Sequence, residues 1–163
     1  MIGIDSKIEI AKARILNKLP KLTAYGRAIV NERENGSIPE VLVDGTNQYK
    51  DVLLDSSIPG QFFFTVDNDE TVVDGRINTS TVNMYFAVNL VKLYPSVQER
   101  ATEYLHRDIQ NALKNTKFAV TGIVRNRESF SDFADEYVKI GDNMQPYYLC
   151  KFITEIEYNI NEC

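Results

Sequence analysis

The chain has 163 residues, of which 44% are hydrophobic and 25% are charged, as in an ordinary globular protein. One domain of this length buries roughly two-thirds of its unfolded surface, so a core is expected without metals or disulfides. The net charge of -5 argues against a dedicated DNA-grasping surface, because phosphate neutralisation needs clustered basic residues.

The cysteines and the apolar segments bear on the cellular compartment. Cys150 and Cys163 are too few for a disulfide framework, and we expect free thiols in a reducing compartment. The N-terminus lacks the basic and apolar regions of a secretory signal, and no segment reaches the roughly 18 continuous apolar residues of a membrane span. The sequence therefore predicts a protein made in the cytoplasm with no membrane partner.

Helical spacing marks the N-terminal segment. Ser6 and Glu9 have the form of a capping box, and apolar residues then recur at helical spacing as far as Pro20, which predicts a helix over residues 6–19. The same spacing predicts a second, short helix over 22–30, although Gly26 disfavours it. We expect a helical segment over about residues 5–30.

Short strands and an aromatic run follow a break at residues 35–37. Two short strands are expected at 41–43 and 51–54, either side of a loop. Three consecutive phenylalanines within residues 61–66 predict a strand that is buried on both faces or covered by a neighbouring subunit. We expect that strand to end at the polar residues 67–70.

Two long strands with two-residue alternation dominate the second half of the chain. They are predicted over residues 81–93 and about 147–160. The first follows a tight turn at Asp74-Gly75, and we expect it to pair antiparallel with the strand at 61–66. The apolar face of the first strand carries Val82, Met84, Phe86, Val88 and Leu90. The apolar face of the second carries Tyr148, Cys150, Phe152, Ile156, Tyr158 and Ile160.

A long helix is predicted over residues 96–115, with Ser96 and Glu99 as a second capping box. A strand at 118–125 and a polar excursion at about 126–145 follow. The predicted fold is α+β, a mainly antiparallel sheet packed against this one long helix, with the additional N-terminal helix. We expect a single domain over 1–163, whose sheet-plus-helix core covers about 39–125 and 146–160.

The sequence contains no convincing catalytic constellation. His106 is the only histidine, and neither a Gly-flanked serine elbow nor a Gly-rich oxyanion loop accompanies it. The eight glycines form neither a phosphate-binding loop nor a dinucleotide fingerprint. We therefore predict a non-enzymatic protein with no catalytic residues, no cofactor and no metal.

Two acidic groups are candidate metal ligands. Asp67, Asp69 and Glu70 follow a strand, but their spacing departs from known calcium loops, so a solvated turn is favoured. Glu155 and Glu157 share a strand face with Lys151, which is similar to nuclease metal sites. An exposed strand face has the same pattern, and the charge balance offers no positive groove for DNA.

The order of elements resembles that of head-to-tail connector and tail-completion, tail terminator-like proteins of tailed bacteriophages. The segment from Val82 to Pro95, followed by the Ser96 helix and the closing strand at 147–159, is similar to neck-ring proteins of crAss-like phages. The likeness covers about residues 39–160. It carries no residue-level roles, because that family has no invariant active-site motif to map.

This resemblance implies a structural virion protein in the neck or tail, assembled in the host cytoplasm. It implies a homo-oligomeric ring, most often of six or twelve copies, that joins the portal and other neck or tail proteins. Genomic DNA would pass through the lumen without sequence-specific binding. No cofactor is implied.

Candidate inter-subunit contacts come from aromatic residues, because tyrosine and phenylalanine offer large contact area at interfaces. Phe130, Phe133 and Tyr137 lie in the polar excursion, which we predict to be an arm on a neighbouring subunit, and Tyr147 begins the last strand. A plain surface helix is the alternative. The acids around these aromatics are expected to face the lumen and repel DNA; they are Glu128, Asp132, Asp135 and Glu136.

Two other functions stay open from the residues alone. The first is a small ligand-binding or regulatory α+β domain without enzymatic activity, which requires a concave pocket with convergent polar groups. The second, weaker one is a metal-dependent nuclease that uses Glu155, Glu157 and Lys151. A ring component should instead display apolar surface on two separate faces.

Overall fold

The computed structural model describes residues 2–34, 36–55, 57–134 and 147–161. These residues form three helices and one seven-stranded sheet. The elements in chain order are α1 (Gly3–Lys18), β1 (Thr23–Arg33), β2 (Gly36–Leu42), β3 (Tyr49–Asp51), β4 (Gly60–Val73), β5 (Ile77–Asn89), α2 (Leu90–Leu93), α3 (Thr102–Leu113), β6 (Phe118–Arg125), a short 3-10 helix (Asn126–Phe130) and β7 (Tyr147–Asn159).

The strands are ordered β3-β2-β1-β4-β5-β7-β6 across the sheet. The pairing of β1 with β4 is parallel, and the other neighbours are antiparallel. The long strands β5 and β7 pair without interruption from Ile77 opposite Asn159 to Asn89 opposite Tyr147. The coarse prediction of an α+β fold with a mainly antiparallel sheet is therefore confirmed.

One face of the sheet carries the helices and the larger hydrophobic cluster. The buried stripe of α1, formed by Ile4, Ile8, Ala11 and Ile15, packs together with Leu105 and Ile109 of α3. The sheet contributes alternate residues, as two-residue alternation requires. These are Phe62, Phe64, Val82, Met84, Phe86, Val88, Cys150, Phe152 and Ile156.

A second cluster covers part of the opposite face. Phe63, Tyr85 and Leu149 project there from the central strands. They are covered by Val52 and Leu54, which follow β3, and by Phe130, Phe133 and Ala134 of the segment after β6. The prediction that the strand at 61–66 is buried on both faces is confirmed, because each of its three phenylalanines is at most 1% exposed.

The predicted long helix over 96–115 is wrong in its first turns. The strand β5 ends at Asn89, whose side chain accepts a hydrogen bond from the Lys92 backbone N–H and caps the one-turn helix α2. Ser96 lies in a turn rather than at a helix start, and α3 begins only at Thr102. The predicted fold has one long helix and an N-terminal helix. The structure instead has two longer helices, α1 and α3, and the one-turn helix α2.

The N-terminal segment also differs from the prediction. The helix α1 begins at Gly3, so Ser6 lies inside it and its hydroxyl donates to the Gly3 carbonyl oxygen at 2.8 Å rather than capping a start. Residues 22–30 do not continue as a helix, because β1 begins at Thr23 and pairs with β4. Strand pairing with residues almost 40 positions away overrides the local helical spacing.

The hairpin between β4 and β5 is longer than the sequence predicts. Residues 67–70 do not end β4, which passes through an irregularity between Val66 and Glu70 and continues to Val73. The Asp74-Gly75 turn is confirmed, since both residues have positive φ, 54° and 65°. The predicted strand at 118–125 is β6, and the closing strand is confirmed as β7.

Candidate interaction surface

The predicted inter-subunit aromatics lie in the interior of the subunit. Phe130 is 0% exposed, and Phe133 and Tyr147 are each 5% exposed. The Phe130 ring centroid lies 5.3 Å from that of Tyr85 and 6.2 Å from that of Phe63, in edge-to-face contacts. These side chains are therefore used in packing one subunit and offer almost no surface to a neighbour. Tyr137 lies outside the described residues.

Polar contacts fasten the segment after β6 to the sheet. The Tyr85 hydroxyl donates to Asp132 at 2.9 Å, and the Lys151 ammonium lies 3.5 Å from the same carboxylate. Burial and the neighbouring Asp132 raise the pKa of Tyr85, so its hydroxyl stays protonated as a donor. The Ala134 backbone N–H donates to the Ser37 carbonyl at 2.9 Å. Asp132 is thus a docking contact within the subunit.

The other acids of that segment are predicted to line a DNA lumen. Glu128 is exposed in the short helix, whereas Asp135 and Glu136 lie outside the described residues. Of the four acids predicted to line a DNA lumen, two lie among the described residues. Glu128 is exposed to water, and Asp132 is about half exposed.

The lone histidine is a packed core residue. His106 lies in α3, and its Nε2 atom is 2.8 Å from the Tyr148 hydroxyl. Burial, with a smaller contribution from Arg125, lowers the pKa of His106 below its usual value and keeps the ring neutral. Burial raises the pKa of the nearby Cys150 thiol, which disfavours the nucleophilic thiolate. This arrangement supports packing rather than nucleophilic chemistry.

The acidic groups weighed as metal ligands have partners or do not converge. Asn83 donates to Asp67 at 2.9 Å, and Asn78 donates to Glu70 at 2.9 Å. Lys151 is four residues from Glu155 along one strand, about 13 Å, and lies with Asp132 instead. Within the described ranges, no three His, Cys, Asp or Glu side chains are grouped so as to hold a metal ion.

An open groove of about 610 Å³ lies on the sheet where β5, β7 and β6 run side by side. We call it the sheet groove; its lining residues are Ile77, Thr79, Lys117, Ala119, Glu155, Ile156, Glu157, Tyr158 and Asn159. Thr79 pairs with Glu157 and Ala119 pairs with Glu155, so these residues share the face away from the helices. Among the described residues, Phe130 and Phe133 cover that face farther along the strands.

The sheet groove combines an apolar end with an acidic floor. Ile77 is 40% exposed and pairs with the exposed Val73 across the β4–β5 hairpin. Glu155 and Glu157, which we call the acidic pair, are both exposed. Lys117 also lines the groove, so its charged side chains are two acids and one base. The groove is an accessible surface that favours a partner with apolar and basic groups.

A surface of opposite charge lies on the other side of the molecule. The buried stripe of α1 faces the sheet, and this leaves Ile10, Ala13, Arg14, Asn17 and Lys18 exposed on the outward face of the helix. Ile10 is 47% exposed despite being large and apolar. We call Arg14 and Lys18 the basic pair; among the described residues neither has an ion-pair or hydrogen-bond partner.

Sequence reasoning missed both surfaces, although signals for them were present. Ile10 falls outside the Ile8, Ala11 and Ile15 stripe, and a large apolar residue off the buried stripe is a useful indicator of a contact. The acidic pair was placed on the face of β7 opposite its apolar residues. The sequence could not show that strands β5 and β6 flank β7, and that the described residues leave this part of its face open.

Comparison with models of protein families finds none that matches this chain, and comparison with curated proteins finds no significant relative. None of the helices in the described part of the chain is long and apolar enough to cross a membrane.

Proposed function

We propose that this protein is a non-enzymatic structural subunit of an oligomeric ring in the neck of a tailed phage, where it joins portal to tail around the DNA channel. The observation that carries the proposal is the pair of unlike surfaces, an acidic groove and a basic helix face, on opposite sides of one sheet. Contact between unlike surfaces of identical subunits is heterologous. Repeated heterologous contacts form a ring when the rotation between neighbours closes and a filament when it does not.

The interior of the subunit supports a mechanical role. Aromatic side chains pack on both faces of the central strands, with Phe62 stacked on Phe86 at 5.2 Å and Phe63 on Tyr85 at 5.0 Å. Aromatic pairs add about 0.5–1.5 kcal/mol beyond the area that they bury. A sheet stabilised on two faces suits a subunit that transmits load between neighbours without changing shape.

The negative net charge of the chain supports the proposal that DNA passes through the ring without binding to it. The net charge is -5, and tight phosphate binding requires clustered basic residues. The resemblance of the segment from Val82 to Pro95 and of the closing strand to phage neck proteins supports the proposed location between portal and tail.

A small ligand-binding domain is the second candidate, and the sheet groove is the observation that favours it. Its volume of about 610 Å³ lies within the range of small-molecule sites. Ligand pockets, however, are mostly lined by apolar and aromatic side chains, whereas charged and small polar residues form much of this groove. A surface that takes part of another protein accounts better for this lining.

Deletion of the gene from the phage that carries it tests the proposed location. We expect lysates that contain filled heads and separate tails, because the joint between them is missing, and electron microscopy counts these particles. Supplying the wild-type protein from a plasmid should restore tailed particles. A deletion lysate with normal numbers of infectious tailed particles would contradict the neck assignment.

A further inference from the structure

The helix α1 and the sheet groove are complementary in both charge and spacing. We propose that the outward face of α1 in one copy docks in the sheet groove of the next copy. This inference rests on the proposed ring and names the contact that builds it. The occupant is a second copy of this chain, because the chain itself presents the complementary surface.

The spacing along the helix supports the match. Ile10, Arg14 and Lys18 are four residues apart, so they lie on one side of α1 with successive separations of about 6 Å along the axis. Each has an exposed side chain. They form a row, inclined by about 26° to the helix axis, that begins with an apolar residue and continues with the basic pair.

The spacing along the groove is nearly the same. Ile77 lies opposite Asn159, and Glu157 and Glu155 follow at two-residue intervals on the same face of β7. Two residues of an antiparallel strand span about 7 Å. Ile77 lies one strand away, on β5, so it is displaced sideways from the two carboxylates by about 5 Å. Along the strand direction, the groove therefore presents an apolar residue followed by two carboxylates at intervals close to those of the row on α1.

Docked in this direction, Ile10 covers Ile77 and each member of the basic pair faces one member of the acidic pair. An amphipathic helix laid on an open sheet face is a standard layered packing. The Thr79 and Ala119 side chains between the groove walls are small, so a helix can approach the strands closely. Lys117 opposes the docking, but the acidic pair outweighs it by one charge.

The two surfaces cannot satisfy each other within one subunit, because the sheet separates them. The buried stripe of α1 packs on the same sheet face as Val82 and Phe152, and Glu155 and Glu157 project from the other face. Each copy therefore offers its helix to one neighbour and its groove to another. This head-to-tail arrangement propagates from copy to copy and forms a ring when the rotation between neighbours closes.

Charge reversal with rescue tests the contact. One variant carries Arg14→Glu and Lys18→Glu, and the other carries Glu155→Lys and Glu157→Lys. We expect each alone to raise the concentration at half-assembly by roughly tenfold, since two opposed charge pairs become repulsive. Mass photometry at physiological ionic strength measures the ring population.

Mixing the two variants in equal amounts should restore rings in which the variants alternate. Every contact in the mixture joins an acidic helix face to a basic groove, or the reverse. Rings of six or twelve accommodate such alternation because both numbers are even. The matched control, Arg100→Glu with Lys114→Glu, makes the same charge change at exposed positions near the ends of α3 and should leave assembly unchanged.

The outcomes separate this inference from the proposed function. Wild-type rings that survive both reversals, or reversals that mixing fails to rescue, would overturn the helix-in-groove contact and leave the ring itself standing. Wild-type protein that forms no ring with or without portal would overturn both. Circular dichroism and thermal unfolding of each variant establish that a loss of assembly comes from a folded subunit.

Discussion

Replacement of Phe130 by alanine is expected to lower the free energy of unfolding by about 3–5 kcal/mol, the usual cost of truncating a buried phenylalanine. Phe130 is 0% exposed and contacts the rings of Phe63, Tyr85 and Phe133. The substitution leaves a cavity between the sheet and the segment after β6. Urea unfolding of the dilute subunit, followed by tyrosine fluorescence and circular dichroism, measures the loss.

Leu53→Ala is the matched control for this experiment. Leu53 is 63% exposed, so its truncation should change the free energy of unfolding by less than about 0.5 kcal/mol. A Phe130→Ala subunit that is as stable as wild type but no longer assembles would contradict the structure. It would return Phe130 to the inter-subunit role that the sequence suggested.

Gly36→Ala is expected to destabilise the subunit through two separate effects. Gly36 has a φ of +107°, which residues other than glycine rarely adopt. An added Cβ would lie 2.9 Å from the Cα and Cβ atoms of Ala134. The close approach occurs where the Ala134 N–H bonds to Ser37. We expect a loss of about 2–4 kcal/mol, combining backbone strain with overpacking, measured by the same urea unfolding.

Gly45→Ala separates the two effects. Gly45 also has a positive φ, +75°, but an added Cβ would meet no atom within 4 Å. It should therefore cost only the backbone strain, about 1–2 kcal/mol. Equal losses for the two substitutions would show that the segment ending at Ala134 does not lie against Gly36.

Long-range strand alternation carried most of the fold that the sequence predicted. The strands predicted at 61–66, 118–125 and about 147–160 are present within β4, β6 and β7, because alternation and apolar runs leave few other structures possible. The strand predicted over 81–93 is too long, because β5 ends at Asn89 and residues 90–93 form α2. The alternation also assigned faces correctly, and Val82, Met84, Phe86 and Val88 all join one cluster.

The errors arose where distant pairing decides the structure. Residues 22–30 have helical spacing but pair with β4, and nothing nearby in the sequence reports that strand. Ser96 and Glu99 have the residues of a capping box, yet α3 begins at Thr102 after a turn. A local motif indicates which secondary structures a segment can form, and tertiary contacts determine which of them it adopts.

The burial of the predicted inter-subunit aromatics also depends on residues far away in the sequence. Phe130 and Phe133 lie among acidic residues, a pattern that suits an exposed arm as well as a docked one. Their burial depends on Tyr85, which lies 47 residues before Asp132 and bonds to it. The sequence predicted that these rings make contacts, and only the fold identifies their partners as residues of the same subunit.

The native mass of the purified protein distinguishes a ring from a free subunit. Mass photometry across a range of concentrations, alone and with purified portal, should show a species of six or twelve times the subunit mass of 18.6 kDa. Such a species is the ring that we propose. A species that stays at the subunit mass at every concentration, with portal present or absent, would contradict it.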